Sequence, residues 1–163
     1  YHNTQNEEGE PLSGILHFSE AASLAVHGVL LLAAPGGEHR TVRSLAEAVG
    51  ASEAHLAKVV QRLGKAGILS CTRGPRGGVF LARPAGEITL LEVYEAVEGP
   101  LDRGGCVLGR SACPFGACLF GGLLERVSGE VRDFLSATTL EDFWKSRGLG
   151  PENAPLTETD EEG

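Results

Sequence analysis

Methionine is absent from this chain of 163 residues, and aromatics are scarce: one Trp, two Tyr and six Phe. A core must therefore be assembled mainly from Leu, Val and Ala, which a hydrophobic share of 42% is enough to supply. A chain without Met even at its first position points to an edited or partial N-terminus. Long apolar runs are missing as well: nothing approaches the roughly eighteen consecutive apolar residues that a membrane-spanning helix needs. The first residues are polar and acidic (Glu7, Glu8, Glu10), unlike a secretion signal. No Ser/His/Asp or Cys/His constellation is in view, so nothing supports an enzyme. The glycine-rich stretch Gly74 to Gly78 lies between two β-prone runs rather than between a strand and a helix, so it does not read as a phosphate-cradling loop.

Positive charge is also in deficit overall, with a net charge of −8, which at first sight argues against nucleic acid as a partner. Its distribution reverses that. Between Glu38 and Arg83 stand eight Lys or Arg against three Glu, a local +5, which leaves the remainder of the chain at −13. A basic module within an acidic chain is the footprint that phosphate binding requires. Of the four cysteines, Cys71 stands apart in sequence, while Cys106, Cys113 and Cys118 share one short stretch. Without a secretion signal such thiols are more often metal-binding or redox-active than disulfide staples, and the cytoplasm is the expected compartment.

Hydrophobic periodicity and capping residues mark the elements. A first helix over Ser19 to Ala34 is apolar nearly all round (Leu24, Val26, Val29 to Leu32), so it should be buried, and Glu20, Ser23 and His27 share one face. Thr41 to Gly50 reads as a second helix and Ser52 to Ala66 as a third, with only Ala51 between them, which is a helix-turn-helix signal. The third helix is divided: Leu56, Val59, Val60 and Leu63 on one side, His55, Lys58, Gln61, Arg62 and Lys65 towards the other. Ile68 to Thr72 and Val79 to Ala82 flank a Gly/Pro turn and predict a hairpin, a wing with Arg73 and Arg76 near its tip. Cys71, within a wing strand, reads as a small packing residue. Thr89 opens a further helix through a capping box with Glu92, and Gly99-Pro100 ends it. After the cysteines, a long helix over Leu119 to Leu135 repeats Phe120, Leu124, Val127, Val131 and Phe134 at spacings of 4 and 3, a seam suited to a dimer. A short helix beginning near Thr138 or Thr139 carries Phe143 and Trp144.

Taken in order, five features make the chain resemble the IscR/NsrR-type winged-helix regulators of the Rrf family, from about Phe18 to Trp144. These are Glu20-Ala-Ala-Ser-Leu-Ala-Val-His27, Leu45-Ala-Glu-Ala-Val49, Ser52 to Val60, Arg73-Gly-Pro-Arg-Gly-Gly78 and the three clustered cysteines. The resemblance implies a homodimer in which each subunit offers Cys106, Cys113 and Cys118 to an iron–sulfur cluster of the 2Fe-2S type. It also implies a fourth ligand that varies between members. His27 aligns with one such position, and Glu20 on the same face ranks second. Two departures stand out: the spacing is C-x6-C-x4-C, and Gly121 occupies the place where some members have a His three residues after the last Cys. Thiolates suit such clusters because they are soft, strongly donating ligands.

The expected fold is mainly α with a small β-hairpin wing, a winged helix-turn-helix plus a long dimerisation helix. Residues 1–15 are expected to be a disordered tail, 16–84 the DNA-binding domain and 85–103 a connecting helix. Residues 104–118 are expected to form the cluster-binding loop, 119–150 the dimerisation helix and short terminal helix, and 151–163 an acidic disordered tail. The expected function is a DNA-binding transcriptional regulator that senses redox, nitric oxide or iron–sulfur status. Double-stranded DNA would be read by Ser52, His55, Lys58, Gln61, Arg62 and Lys65 in the major groove and by Arg73 and Arg76 on the wing. The alternative is a cofactor-free winged-helix repressor governed by thiol oxidation or a protein partner.

Overall fold

The computed structural model describes residues 18–34, 36, 37, 39–72, 74, 77–101, 116 and 120–146. Its elements in chain order are α1 (Glu20–Ala33), α2 (Val42–Val49), α3 (Glu53–Lys65), β1 (Leu69–Cys71), β2 (Val79–Leu81), α4 (Leu90–Glu98), α5 (Leu123–Ala137) and α6 (Leu140–Ser146), with a 3-10 turn at Ala85–Glu87 before α4. The chain divides into two compact units, Phe18–Pro100 with Phe134–Gly163, and Tyr1–His17 with Leu101–Asp133. No described helix is long and apolar enough to cross a membrane.

The larger unit is built round α1. Ser19 caps the helix by accepting a hydrogen bond from the Ala22 N–H at 3.1 Å, and its hydroxyl donates to the Glu98 carboxylate at the far end of α4. Ala22, Ala25 and Val29 are completely buried, as the all-round apolar pattern predicted. The small, fully buried Ala22 and Ala25 let neighbouring helices approach closely, and α2, α3, α4 and α6 all pack on α1. The larger side chains that fill the gaps include Leu45, Leu56, Leu63, Ile68 and Ile88, each with at most 2% exposure. This is the Leu/Val/Ala core that an aromatic-poor chain must make.

The helix-turn-helix forms where the caps indicate. Thr41 Oγ1 accepts from the Ser44 N–H at 3.0 Å, and Ser52 Oγ from the His55 N–H at 3.2 Å. Gly50 takes the left-handed conformation (φ 70°) that ends α2 and turns the chain directly into α3, a conformation costly for any residue with a Cβ. The hairpin is antiparallel with Leu69 opposite Leu81, Ser70 opposite Phe80 and Cys71 opposite Val79. Arg40, just ahead of α2, extends it by one rung, exchanging main-chain bonds with Val79 at 3.2 and 2.7 Å.

Several expectations are adjusted. Helix α5 begins at Leu123, not Leu119, because Gly121 and Gly122 both have positive φ (50° and 78°), so Phe120 precedes the helix it was expected to join. The short α6, expected to stand with the dimerisation helix, lies in the unit that contains the winged helix: Thr89 and Thr139 form an isolated antiparallel bridge, and the Trp144 indole N–H donates to the Leu30 carbonyl at 3.1 Å. Thr139 and Asp142 supply its reciprocal cap. Helix α4, expected to act as a connector, is part of the same core, with Val93 fully buried. Cys71 is exposed, which corrects its reading as a packing residue: β1 runs buried, half-buried, exposed, and its last residue has left the core.

The capping box of α4 forms as expected, with Thr89 accepting from the Glu92 N–H and Glu92 from the Thr89 N–H at 2.9 Å. Arg83 adds an ion pair to Glu92 at 2.8 Å. Partial burial pushes the Glu92 carboxyl up, but the hydrogen bonds from Thr89 and Arg83 outweigh it, so the group sits below its ordinary value of 4.5. Thr89→Ala should lower unfolding stability by about 1 kcal/mol in urea titration. Because the folded carboxyl is the stronger acid, its contribution is complete above the ordinary value and is lost as pH falls through the depressed one. The penalty of Thr89→Ala should therefore shrink on acidification below that window.

Candidate nucleic-acid interface and cluster ligands

Four apolar residues of α3 (Leu56, Val59, Val60 and Leu63) are buried, so its opposite side must face outwards. At 100° per residue, Lys58, Gln61 and Lys65 fall nearest the centre of that outer side, and all three are exposed. The hairpin lies beside them, because Ile68 N–H bonds to Leu63 O as the chain leaves α3. A shallow groove results, lined by Ala57, Lys58, Gln61 and Gly64 from α3 and by Leu69 and Cys71 from β1. An outward helix with two ammonium groups and one amide, flanked by a hairpin, is suited to phosphates and base edges.

Not every predicted contact residue lies there. Ser52 is occupied as the cap of α3. His55, half-buried, has Nδ1 at 3.6 Å from the Glu20 carboxylate on α1. Arg62 donates from Nη1 to the Val97 carbonyl at 3.1 Å, tying α3 to the end of α4. Both side chains occupy the flanks of the helix, between the buried and outer sides, where a long polar side chain reaches a neighbouring helix more readily than solvent. The pattern of charges alone did not distinguish flank from centre. Cys71, which sequence reasoning set aside, lies in the groove itself, and only its place at the end of a short strand could have signalled that.

Arg73 and Arg76 lie outside the described residues. Around them the turn is closed by Gly77 N–H to Gly74 O at 2.8 Å and by Thr72 N–H to Gly78 O at 2.9 Å, with Gly74 at φ 113°. Cys106, Cys113 and Cys118 likewise lie outside the described residues. Among the described residues no group of three or more His, Cys, Asp or Glu could hold a metal ion.

His27 is exposed on α1, and its Nδ1 lies 2.7 Å from the Ser23 carbonyl oxygen. A carbonyl only accepts, so the neutral imidazole carries its proton on Nδ1 and leaves the Nε2 lone pair free to donate to a metal. Backbone hydrogen bonds of this kind orient metal-ligating histidines. The donor chemistry thus fits a cluster completed by one imidazole. Glu20, the second candidate, is also exposed but faces His55.

A helix-turn-helix, a β-hairpin wing and an outward basic helix define a winged-helix DNA-binding regulator. The model of the Rrf2 family, described as iron-dependent transcriptional regulators, matches residues 18–146, and the chain belongs to that family. The HTH-type transcriptional regulator IscR of Xenorhabdus nematophila is 36% identical over 104 residues, covering 63% of this chain and 63% of that protein, so the match spans under two thirds of the relative's length. Among solved structures, IscR of T. potens superposes with a TM-score of 0.62 at 27% identity, covering 81% of this chain and 88% of that one. The oxidised form of CymR from Staphylococcus aureus superposes at 0.61 with 26% identity, covering 78% and 95%. These relatives are regulators of transcription, not enzymes.

The two kinds of cation on α3 should separate experimentally. Lys58→Ala should weaken binding to duplex DNA and reduce the magnitude of its log–log salt slope by about one, as expected for one phosphate contact, without altering stability. Arg62→Ala should instead destabilise the fold by about 1 kcal/mol, the size of a partly exposed charged hydrogen bond. Fluorescence anisotropy across a salt series and urea unfolding on the same preparations check both.

Proposed function

We propose that this protein is a homodimeric, DNA-binding transcriptional regulator whose operator affinity is set by an iron–sulfur cluster held by Cys106, Cys113, Cys118 and His27. The observation that carries the reading is the His27 imidazole, whose Nδ1 is held by Ser23 O and whose Nε2 is left for a metal, in a chain whose family is described as iron-dependent. When bound, the cluster supplies a redox-sensitive and ligand-sensitive centre. Lys58, Gln61 and Lys65 read the major groove, and Arg73 and Arg76 contact phosphate or the minor groove from the wing. His55 and Arg62 join them only if they release Glu20 and Val97, and Ser52 contributes through its cap.

The dimer reading rests on α5. Of the expected seam, Phe120, Val127 and Phe134 are exposed at 40%, 37% and 64%, Val131 is half-buried and Leu124 is buried, and Leu123 beside them is exposed at 43%, so much of the apolar stripe lies in water. Single exposed apolar residues are ordinary, but a stripe at helical spacing needs a partner. A second copy offers the same stripe, and a twofold dimer would pair with a near-palindromic operator.

A second reading is a cofactor-free regulator that takes its signal from thiol oxidation or a protein partner. The likeness to CymR in an oxidised form favours it, and so does the exposed Cys71 beside the reading helix.

Anaerobically purified protein should show visible charge-transfer bands with matching iron and acid-labile sulfide, and Cys113→Ser should abolish them. A colourless protein that stays iron-free after reconstitution would leave the cofactor-free reading in possession. Val127→Glu should convert the dimer to monomer in analytical ultracentrifugation and weaken operator binding by at least an order of magnitude, because one reading head is lost.

A further inference from the structure

One side of the larger unit carries a cavity of about 480 Å3 between α1, the end of α2 and α6. Its size lies within the range of small-ligand sites, roughly 300–1,000 Å3. Leu24, Leu31, Val49, Phe143 and Trp144 form apolar walls, with Ser23 and His27 as the polar edge. Among the described residues no Asp, Glu, Lys or Arg lines it, so a charged ligand would lose hydration without gaining a partner there. The aromatic wall is already in place: the Trp144 indole is held by Leu30 O, and its ring meets Phe143 edge to face at 5.5 Å. The polar edge is equally defined, because the bond to Ser23 O leaves His27 Nε2 as an acceptor.

We propose that this cavity binds a small neutral aromatic molecule bearing one hydroxyl donor. Its ring lies against Trp144 and the aliphatic side chains, and its hydroxyl donates to His27 Nε2. This goes beyond the regulator function above and does not require a cluster: where iron takes Nε2 the acceptor is lost, so the hydroxyl preference belongs to the iron-free protein. Ala48 and Val49 end α2 and lead through Gly50 into α3, so a bound molecule lies against the DNA-reading unit itself. A ligand there shifts DNA affinity to the extent that it prefers one arrangement of α2 over another.

Trp144 is the chain's only tryptophan, so its emission reports directly on the cavity. Phenol and toluene, titrated into iron-free full-length protein with excitation at the red edge of tryptophan absorption, should each give a saturable change. Phenol should bind roughly three- to tenfold more tightly, the effect of one net hydrogen bond. His27→Phe should erase that difference while keeping the toluene response. Ala48→Phe, which fills the cavity from an exposed position, should abolish both responses with an unchanged circular dichroism spectrum. If that variant does not fold, the phenol-to-toluene ratio in His27→Phe decides. A response that never saturates, or one that survives in folded Ala48→Phe, overturns the proposal. So does emission that changes on diluting the protein alone while phenol has no effect, which would give the cavity to a second copy. Iron loading plays no part in these titrations, so a failed reconstitution and a failed titration are separate results.

Discussion

Helix α1 has Ala22, Ala25 and Val29 wholly out of water, and α2, α3, α4 and α6 all use it as their support. Small side chains at those positions make that possible: a bulkier residue would hold a neighbouring helix away and open voids in a core with few aromatic rings to fill them. The tie from Ser19 to Glu98, the pairing of Glu20 with His55 and the bond from Trp144 to Leu30 O all join α1 to another element. The reading helix is therefore aimed by its buried side rather than by its basic one.

That constraint explains the division of labour on α3. Burying Leu56, Val59, Val60 and Leu63 against α1 and its neighbours leaves a narrow outer arc, and Lys58, Gln61 and Lys65 are the polar residues nearest its centre. His55 and Arg62 are polar yet occupy the borders, where they bond to Glu20 and Val97 O. Polar residues at the edge of a buried helix face commonly serve as fasteners, because their apolar stems pack while their heads find carbonyls or carboxylates. The same helix thus carries groups that hold the domain together and groups free to meet DNA, one turn apart.

The proposed ligand chemistry draws on helix α1. His27 stands one turn beyond Ser23, and the carbonyl that orients its ring would have been spent within an isolated helix in any case. The two uses proposed for its other ring nitrogen, to iron and to a hydroxyl, exclude each other at any moment. Helix α5 adds the other unfinished surface, an apolar stripe with Phe134 mostly in water, although its neighbour Leu135 is buried.

Much of this was legible beforehand because it is local. Caps at Ser19, Thr41, Ser52 and Thr89, the stop at Gly50, the 3.6-residue stripe of α3 and the Gly-rich hairpin turn are decided by neighbours within a few residues, and each formed where the pattern placed it. The family, too, followed from the order of such local signals. Less legible were the start of α5, displaced by two glycines with positive φ, and the exposure of Cys71 at the end of a short strand. The sequence by itself determined which segments are helical, which faces are apolar and that a basic module precedes a cysteine cluster. Only the tertiary structure decided that α6 returns to cover α1, that Arg62 fastens rather than reaches outward, and that a cavity forms beside His27. Those outcomes depend on which groups distant in the chain come within hydrogen-bonding reach. Packing settles that across 114 residues for Trp144 and Leu30 and across 35 for Arg62 and Val97, and no local pattern encodes it.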